Sequence, residues 1–542
     1  MIAFARLLER LVLTPGRNSK LEVLKAYFRD TPDPDRGFAL AAITRDLEFK
    51  AVKAGAVREM AMSRIDEQLF AISYDFVGDL ADTVALAWPT QHGANREPTL
   101  QEVVETLQEV DRKNAPQLLK QWMDALDASG RWALIKLVTG GLRIGVSSRL
   151  AKQALASFGD KNINEIEELW HGLKPPYEHM FAWLEGRADK PDLNDQTLFR
   201  PMMLAHPLIA KKDRDNPDAI DPQMISPSTF AFEWKWDGVR VQAAASASER
   251  RLYSRSGDDI SSAFPDVLNA LDFDGVIDGE LLIRSANGGV ASFNALQKRL
   301  NRKSAGPKLQ SESPAFIRTY DLLRLGSEDL RPLPFRERRQ KLETLMASLR
   351  SDRLDLSQFA PVHDYATLDT LRKSPPTPEI EGLMLKRWDS AYVAGRPTGQ
   401  WFKFKRDPYL ADAVLLYAQR GHGRRSGTFS DFTFGVWRTV NGVVELTPIC
   451  KAYFGFTDEE LVQINKFITA NTRERFGPVT SVTATGQTGL VAEIAFEGIQ
   501  RSTRHKSGIA LRFPRINRIR WDKPPAEADR LEMLESLIPN SE

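Results

Sequence analysis

Cysteine is nearly absent. Cys450 stands alone among 542 residues, so the chain can form neither an intramolecular disulfide nor a zinc site built from several thiolates, and it reads as intracellular. Histidine is scarce too: the seven present are scattered without the spacing of a metal-ligand set. Long apolar runs are missing. The N-terminal stretch MIAFARLLERLVLTPG has an apolar face, but Arg6, Glu9 and Arg10 interrupt it before a secretory core or membrane span can form, so a first amphipathic helix is expected. A marked excess of either charge is also lacking, since a net charge of +2 does not by itself point to a polyanion. There is no internal repeat and no long low-complexity tract.

What is present comes in blocks. One hydrophobic core serves at most roughly 250–300 residues, so two to four domains are expected. Up to about Arg187 apolar residues recur three and four apart, as in Leu21, Val23, Leu24, Tyr27 and Phe28 or Leu118, Leu119, Trp122 and Leu126, the period of helices. Turns at 31–35 and 91–95 punctuate this region, and the polar stretch 188–195 reads as a linker. Beyond Arg200 short β-rich runs (230–236, 239–243, 276–283, 315–323) alternate with helical stretches (293–300, 335–349), the pattern of a mixed α+β domain. After Asp407-Pro408 come strands at 413–418, 432–440, 443–449 and 490–496 with one helix at 458–470, about the length of a small closed barrel. Near the end, Arg501, Arg504, Lys506, Arg512, Arg515, Arg518, Arg520 and Lys523 stand against a single acid, Asp522. That local basic surface suits phosphates, although a merely solvated face would look the same in isolation.

The central chemical signal is Glu233-Trp234-Lys235-Trp236-Asp237-Gly238-Val239-Arg240. A lysine between aromatic residues at the end of a strand sits where desolvation and nearby cations favour the neutral amine, which can attack phosphorus. Gly238 is expected to let the backbone turn sharply, and Arg240 to return a cation to the same place. A surface turn would also accommodate this string. Downstream, in order, follow Ser254-Arg255-Ser256-Gly257, Ile277-Asp278-Gly279-Glu280-Leu281, Thr319-Tyr320-Asp321-Leu322-Leu323, Glu381-Gly382-Leu383-Met384-Leu385-Lys386, Trp401-Phe402-Lys403-Phe404-Lys405 and Arg520-Trp521-Asp522-Lys523. Strand alternation puts Lys403 and Lys405 on one face, able to address one triphosphate; snorkelling lysines on an exposed strand are the plainer reading. Glu280 and Glu381, each beside a glycine at the end of an apolar run, suit a hard cation such as Mg²⁺ held against phosphate oxygens, or simply a turn facing solvent. Tyr320 offers either a ring for a purine or plain core.

In their order these strings, spanning about residues 200 to 525, resemble the motif series of the covalent nucleotidyltransferases, the superfamily of DNA ligases, RNA ligases and messenger-RNA capping enzymes. The resemblance implies that Lys235 is the adenylated nucleophile, and that Glu233, Arg240, Arg255, Glu280, Tyr320, Lys403 and Lys405 line the nucleotide. Arg520, Asp522 and Lys523 would orient the leaving pyrophosphate, and Glu280 and Glu381 would hold the metal. Ligases of this type often place an arginine a few residues before the tryptophan of the lysine pair; Pro397 stands there, with Arg396 as its neighbouring substitute.

Residues 134–150, LIKLVTGGLRIGVSSRL, resemble the signature of the DNA-binding domain that precedes the catalytic core in large ATP-dependent DNA ligases. A glycine-flanked turn with Ser147 or Ser148 at a helix start would present backbone N–H groups to a DNA phosphate, with Arg143, Arg149 and Lys152 nearby; an ordinary helical packing corner is the alternative. The basic loop at 421–427 suits DNA as well as it suits a plain surface loop. An NAD-dependent relative would carry a four-cysteine zinc module, which one cysteine cannot build, so ATP is the expected cofactor, with Mg²⁺ or Mn²⁺.

The expected chain is multidomain: an all-α DNA-binding domain (1–198), an α+β adenylyltransferase of ATP-grasp-like ligase type (199–406) and an all-β OB-fold (407–542). The expected function is ATP-dependent sealing of 5′-phosphate/3′-hydroxyl nicks in duplex DNA, in repair or recombination, by a monomer in the cytoplasm or at a nucleoid. An associated helicase and nuclease are expected by family analogy, and no membrane. An RNA ligase sharing the Lys235 chemistry and a non-catalytic DNA-end-binding protein are the competing readings.

Overall fold

A computed structural model describes every residue except 50, 78, 90–95, 192–196, 209–219, 221–223, 301, 303, 421–427, 478 and 539–542. The expected turn at 91–95, part of the expected linker and the basic loop at 421–427 lie outside the described residues. Contacts divide the chain into two compact units, Met1–Phe359 with Met384–Phe402, and Ala360–Leu383 with Lys403–Glu542.

The first unit opens with helices, from Ile2–Leu13 to Glu178–Leu184, and no strand interrupts them among the described residues. The first helix buries Phe4, Ala5, Leu7, Leu8 and Leu11 while Arg6 and Arg10 stay exposed, as its period requires. Phe28, Leu40, Val104, Leu134, Leu155 and Phe181 continue the same core. Helix starts carry their caps: Thr99 and Glu102 form a capping box, Asp127 accepts from Gly130 N–H, and Ser147 accepts from Leu150 N–H. No helix among the described residues is long and apolar enough to cross a membrane.

The strands then begin: β1 (His206–Pro207), β2 (Phe230–Trp236), β3 (Val239–Ala245), β4 (Arg250–Ser254), β5 (Gly275–Ile283), β6 (Ala315–Leu325), β7 (Glu328–Asp329), β8 (Leu354–Leu356), β9 (Ile380–Arg387) and β10 (Trp401–Lys405). A six-stranded sheet has the order β4-β3-β5-β6-β7, with β8 against β6, and a four-stranded sheet has the order β1-β10-β9-β2. The unit division falls inside β9, after Leu383, and inside β10, after Phe402. Val241, Ala243, Ile277, Leu281, Ile317 and Leu322 of the larger sheet pack with Leu342, from helix Phe335–Ser348, whose buried face also carries Phe335, Arg338 and Arg339.

The second unit contains β11 (Tyr409–Arg420), β12 (Phe429–Val440), β13 (Val443–Ala452), β14 (Thr472–Phe476), β15 (Val479–Val482), β16 (Val491–Phe496), β17 (Gly498–Arg501), β18 (Ile509–Arg512) and β19 (Arg515–Arg520). Its main sheet runs β13-β12-β11-β15-β14, and β16 links β11 to β19. The long β11 pairs with β16 along its first half and with β15 along its second, the way a barrel strand changes partners. Leu415, Phe434, Val436, Ile494 and Phe496 fill the interior with Ile464 and Ile468 of the expected helix, Asp458–Ala470. The expected all-β reading holds for the framework; a short helix, Leu531–Glu535, was not anticipated.

In the first unit the helical part meets the strands through His171, which packs on Phe199 and Tyr253 with centroids 5.0 and 5.5 Å away, and through the Arg331–Glu168 ion pair. Burial first, and then the Lys152 charge, lower the His171 pKa from 6.5 to about 4. The unfolded chain therefore takes up this proton first. The contribution is complete above pH 6.5 and is lost as pH falls toward 4. Melting followed between pH 7 and 4 is expected to show up to about 3 kcal/mol more acid destabilisation in the native chain than in His171→Phe. Identical pH profiles would refute this.

Candidate active site

Lys235 stands where the two sheets part. β2 ends at Trp236, the chain turns through Asp237 and Gly238, and β3 continues in the other sheet. Gly238 is needed here for space and not, as expected, for a sharp turn. Its φ lies outside the left-handed region, whereas a Cβ would come within 2.6 Å of Leu281 O and 2.8 Å of Glu280 Cγ. The same close approach sets Glu280 beside the Lys235–Gly238 turn, and register places it opposite Arg240.

Two residues before Lys235, Glu233 is 2% exposed. Its carboxylate is held by Arg339 at 3.1 Å and by Lys386 at 2.8 Å, both buried. The Lys386 ammonium in turn lies 4.3, 4.9 and 4.7 Å from the ring centroids of Tyr320, Phe335 and Trp401, a three-ring cage for one cation. Beside it, Arg240 donates to both oxygens of Asp278 at 3.1 and 2.6 Å and to Met203 O at 2.6 Å. The Tyr392 hydroxyl accepts from Arg240 at 3.1 Å and donates to Asp278 at 2.7 Å. Burial, reinforced by the Asp278 charge, raises the pKa of Tyr320 and Tyr392 well above the ordinary phenol, so both stay protonated. Arg338 and Asp321, each fully buried, form a further pair at 2.8 Å.

In the second unit the Lys405 ammonium lies 3.1 Å from Glu381 and 3.6 Å from Glu497, which also pairs with Arg515 at 3.0 Å. Lys403, two residues earlier on β10, is half-buried. Arg520 and Lys523 converge on Asp412 at 3.2 and 2.7 Å, and Arg520 also pairs with Asp522 at 2.9 Å. The two cations of the terminal motif thus meet on one carboxylate, and its acid pairs with one of them.

The other candidates fall elsewhere. Arg255 is exposed and lines a cavity of about 340 Å³ with Ser147, Ser148, Arg149 and Lys152, so the structure groups it with the helical candidates. Arg396 is exposed, and its carbonyl lies 3.2 Å from His206 Nε2. Ser147 spends its hydroxyl on the cap, and Arg149 lies 3.9 Å from Glu167. Lys152 points inward, its ammonium 4.6 Å from the Trp170 ring and its pKa lowered by burial. Arg143 is exposed with φ of 46°. It lines a cavity of about 1030 Å³ with Arg17, Lys20, Arg45 and the 140–147 turn, and no acid shares that lining. Lys20 donates to Ile144 O at 2.6 Å and Gly145 O at 3.2 Å, fixing the carbonyls. Among the described residues no backbone hydrogen bond takes the N–H groups of residues 142–147.

No group of three or more His, Cys, Asp or Glu among the described residues could by itself hold a metal. Mg²⁺ commonly binds one or two carboxylates and completes its shell with phosphate oxygens and water. Glu280, beside the Lys235 turn, meets that requirement; Glu381 already faces an ammonium. Sequence reasoning gave no role to Asp278, Tyr392, Arg339 or Lys386. A lysine ending the apolar run Leu383-Met384-Leu385 was the one available signal; Arg338 and Arg339 were hidden in an arginine-rich helix.

Lys386→Met leaves Glu233 buried with one cation, and is expected to lower the stability of the first unit by about 3–5 kcal/mol, read by denaturant melting. Adding Glu233→Gln should recover part of the loss. A double variant as unstable as the sum of both singles would show that the two charges are not coupled.

Residues 1–156 match the family described as DNA ligase N terminus, 207–405 the ATP dependent DNA ligase domain, and 425–523 the ATP dependent DNA ligase C terminal region. A probable DNA ligase from Koribacter versatilis is 29% identical over 99% of this chain and 96% of its own length. DNA ligase 1 from Korarchaeum cryptofilum is 30% identical over 81% of this chain and 79% of its own. Among solved structures Pmar-Lig_PreS3 shares the fold, with a TM-score of 0.58 at 17% identity, covering 95% of this chain and 99% of that one. With the lysine strand, the clamped glutamate and the phosphate-suited cations already in place, these matches lead to one conclusion: the chain belongs to the ATP-dependent DNA ligase family.

Proposed function

We propose that Lys235 is the residue that carries AMP when this ligase seals 5′-phosphate/3′-hydroxyl nicks in duplex DNA. The observation that carries this reading is its position at the seam of two sheets, two residues from the buried Glu233 clamp and beside Glu280. The neutral amine attacks the α-phosphorus of ATP as pyrophosphate leaves; AMP passes to the 5′-phosphate of the nick; the 3′-hydroxyl then displaces AMP. Glu233 fixes the strand and faces the adenine side. Arg240, Lys403 and Lys405 stabilise charge growing on phosphate oxygens. Lys386 covers one face of Tyr320, which leaves the other face as a wall of the nucleotide site. Glu280, and Glu381 where its ammonium partner is displaced, would hold Mg²⁺, which supplies charge neutralisation on the phosphates when bound. Arg396 stands in for the missing motif arginine at the mouth.

DNA contacts are assigned to the helical domain, 1–198, where Arg143, Arg149 and the N–H groups of residues 142–147, which no backbone carbonyl takes among the described residues, address backbone phosphates. Ser147 shapes the helix start and Lys152 supports it from inside, while Arg255, in the cavity beside them, belongs on the DNA side. The catalytic domain is 199–406 and the OB-fold 407–542. A monomer acting in the cytoplasm or nucleoid, in repair or recombination beside a helicase and a nuclease that expose and trim breaks, is the setting that suits a ligase of this size.

Two experiments test the assignment. Incubated with Mg²⁺ and ATP, the chain should gain the mass of one AMP; Lys235→Ala should gain none, and NAD should not substitute. A gain retained by the variant would move the nucleophile elsewhere. Lys523→Ala, which removes one of the two cations that meet on Asp412, should slow self-adenylylation at least tenfold, about the effect of one lost charge-stabilising group, and slow sealing of a pre-adenylated nick much less. Equal losses in both assays would count against a role in pyrophosphate release.

A further inference from the structure

Two aromatic side chains in the second unit are held out in solvent by a backbone that cannot retract them. Tyr453 is 59% and Phe454 45% exposed, and their rings meet edge to face with centroids 5.4 Å apart. They occupy the short connector between β13 and helix Asp458–Ala470. Phe454 O accepts from Ile516 N–H of β19 at 3.1 Å. Gly455, at φ of 100°, lies so close to that strand that a Cβ would sit 1.8 Å from Ile516 O. Phe456 is anchored against Phe432 at 5.7 Å, and Thr457 caps the helix that follows. The connector is therefore fixed at both ends, and the two rings are its only large side chains left outside.

The surroundings select an occupant. β19 follows β18, whose last residue, Arg512, has its guanidinium 5.3 Å from the exposed Phe513 ring, and Lys451 is exposed at the end of β13. On the other side stand Asp458, Glu459 and Glu460 of the helix start. Carboxylates beside the rings make a poor seat for a phosphate. A flat, uncharged base whose backbone follows the arginines meets no such penalty, and aromatic rings next to arginine are the usual platform for single-stranded nucleic acid. A protein partner would call for a contiguous apolar patch, whereas these rings are bordered by charge.

We propose that Tyr453 and Phe454 form a stacking site for an unpaired nucleotide at the edge of the OB-fold, so that the ligase engages nicks with a displaced or unpaired base. This rests on the proposed sealing of nicked duplex DNA and adds to it the reading of the OB-fold as a domain that faces that DNA. The full chain would be bound to two nicked duplexes, one fully paired and one carrying a single unpaired 2-aminopurine beside the nick. The native chain should quench the 2-aminopurine. Tyr453→Ala/Phe454→Ala should abolish the quenching and weaken binding of that duplex roughly tenfold, while binding of the paired nick and self-adenylylation stay unchanged. Quenching that persists in the variant, or equal weakening on both duplexes, would overturn the stacking site. Failure of the native chain to bind even the paired nick would overturn the DNA-facing reading beneath it.

Discussion

A carboxylate buried two residues before the reactive lysine is the constraint around which the first unit is arranged. Removing Glu233 from water has a penalty of several kcal/mol, and the fold offsets it with two cations brought from distant segments, Arg339 from a helix and Lys386 from β9. Lys386 is itself desolvated, and three aromatic faces compensate. An apolar filling of the same volume would commonly be as stable or more so. What the charged arrangement adds is direction: the strand carrying Lys235 cannot slide or rotate without separating charges that have no water to return to. The position of the lysine at the sheet seam follows from that fixation.

The remaining site cations share one habit. Arg240 is closed on Asp278, Lys405 on Glu381 and Glu497, and Arg520 with Lys523 on Asp412. Each of these groups is a cation that the proposed mechanism sets against a phosphate, and each has a carboxylate that keeps it in place beforehand. Uncompensated cations clustered in one region would repel one another and weaken the fold. With a carboxylate in hand, the arginine or lysine is already oriented, so an incoming phosphate exchanges one anion for another and loses little to ordering flexible side chains. Asp278 is held by a buried tyrosine as well, which makes Arg240 the least exchangeable of the set.

Much of this was legible in the sequence, for identifiable reasons. The helical period, the strand alternation and the helix at 458–470 were visible because each element buries a regular face. Lys235 and Arg240 stood out as candidates because a lysine among aromatic residues before a glycine is chemically odd, and Glu233 joined them through the family resemblance. The clamp itself was not legible. Its members lie 106 and 153 positions beyond Glu233; Arg339 looks in sequence like a solvated surface residue, and Lys386, although it ends an apolar run, carries no mark of its partner. Gly238 was noticed for the wrong property: the sequence marks a glycine, but only the packing of β5 against it shows that the missing side chain matters more than the backbone angle. Arg255 was grouped with the nucleotide by its motif, whereas the fold carries its turn to the start of helix Ser148–Phe158.

The helical region shows why counting charge misleads. Lys20 and Lys152 belong to the basic residues around the 140–152 segment, yet neither ammonium points outward. Lys20 takes the carbonyls of Ile144 and Gly145, and Lys152 lies on the Trp170 ring. Their effect on an anion is indirect. By holding carbonyl oxygens inward, Lys20 removes the negative ends of the turn from the cavity, and the N–H groups and Arg17, Arg45 and Arg143 are left to set its potential. A substituted Lys20 would return those carbonyls to the same space, placing partial negative charge where a phosphate has to sit. The loss of one internal hydrogen-bond donor would then weaken anion binding from inside the turn, and a net charge of +2 over the whole chain conceals a cavity whose charged lining residues are all cations.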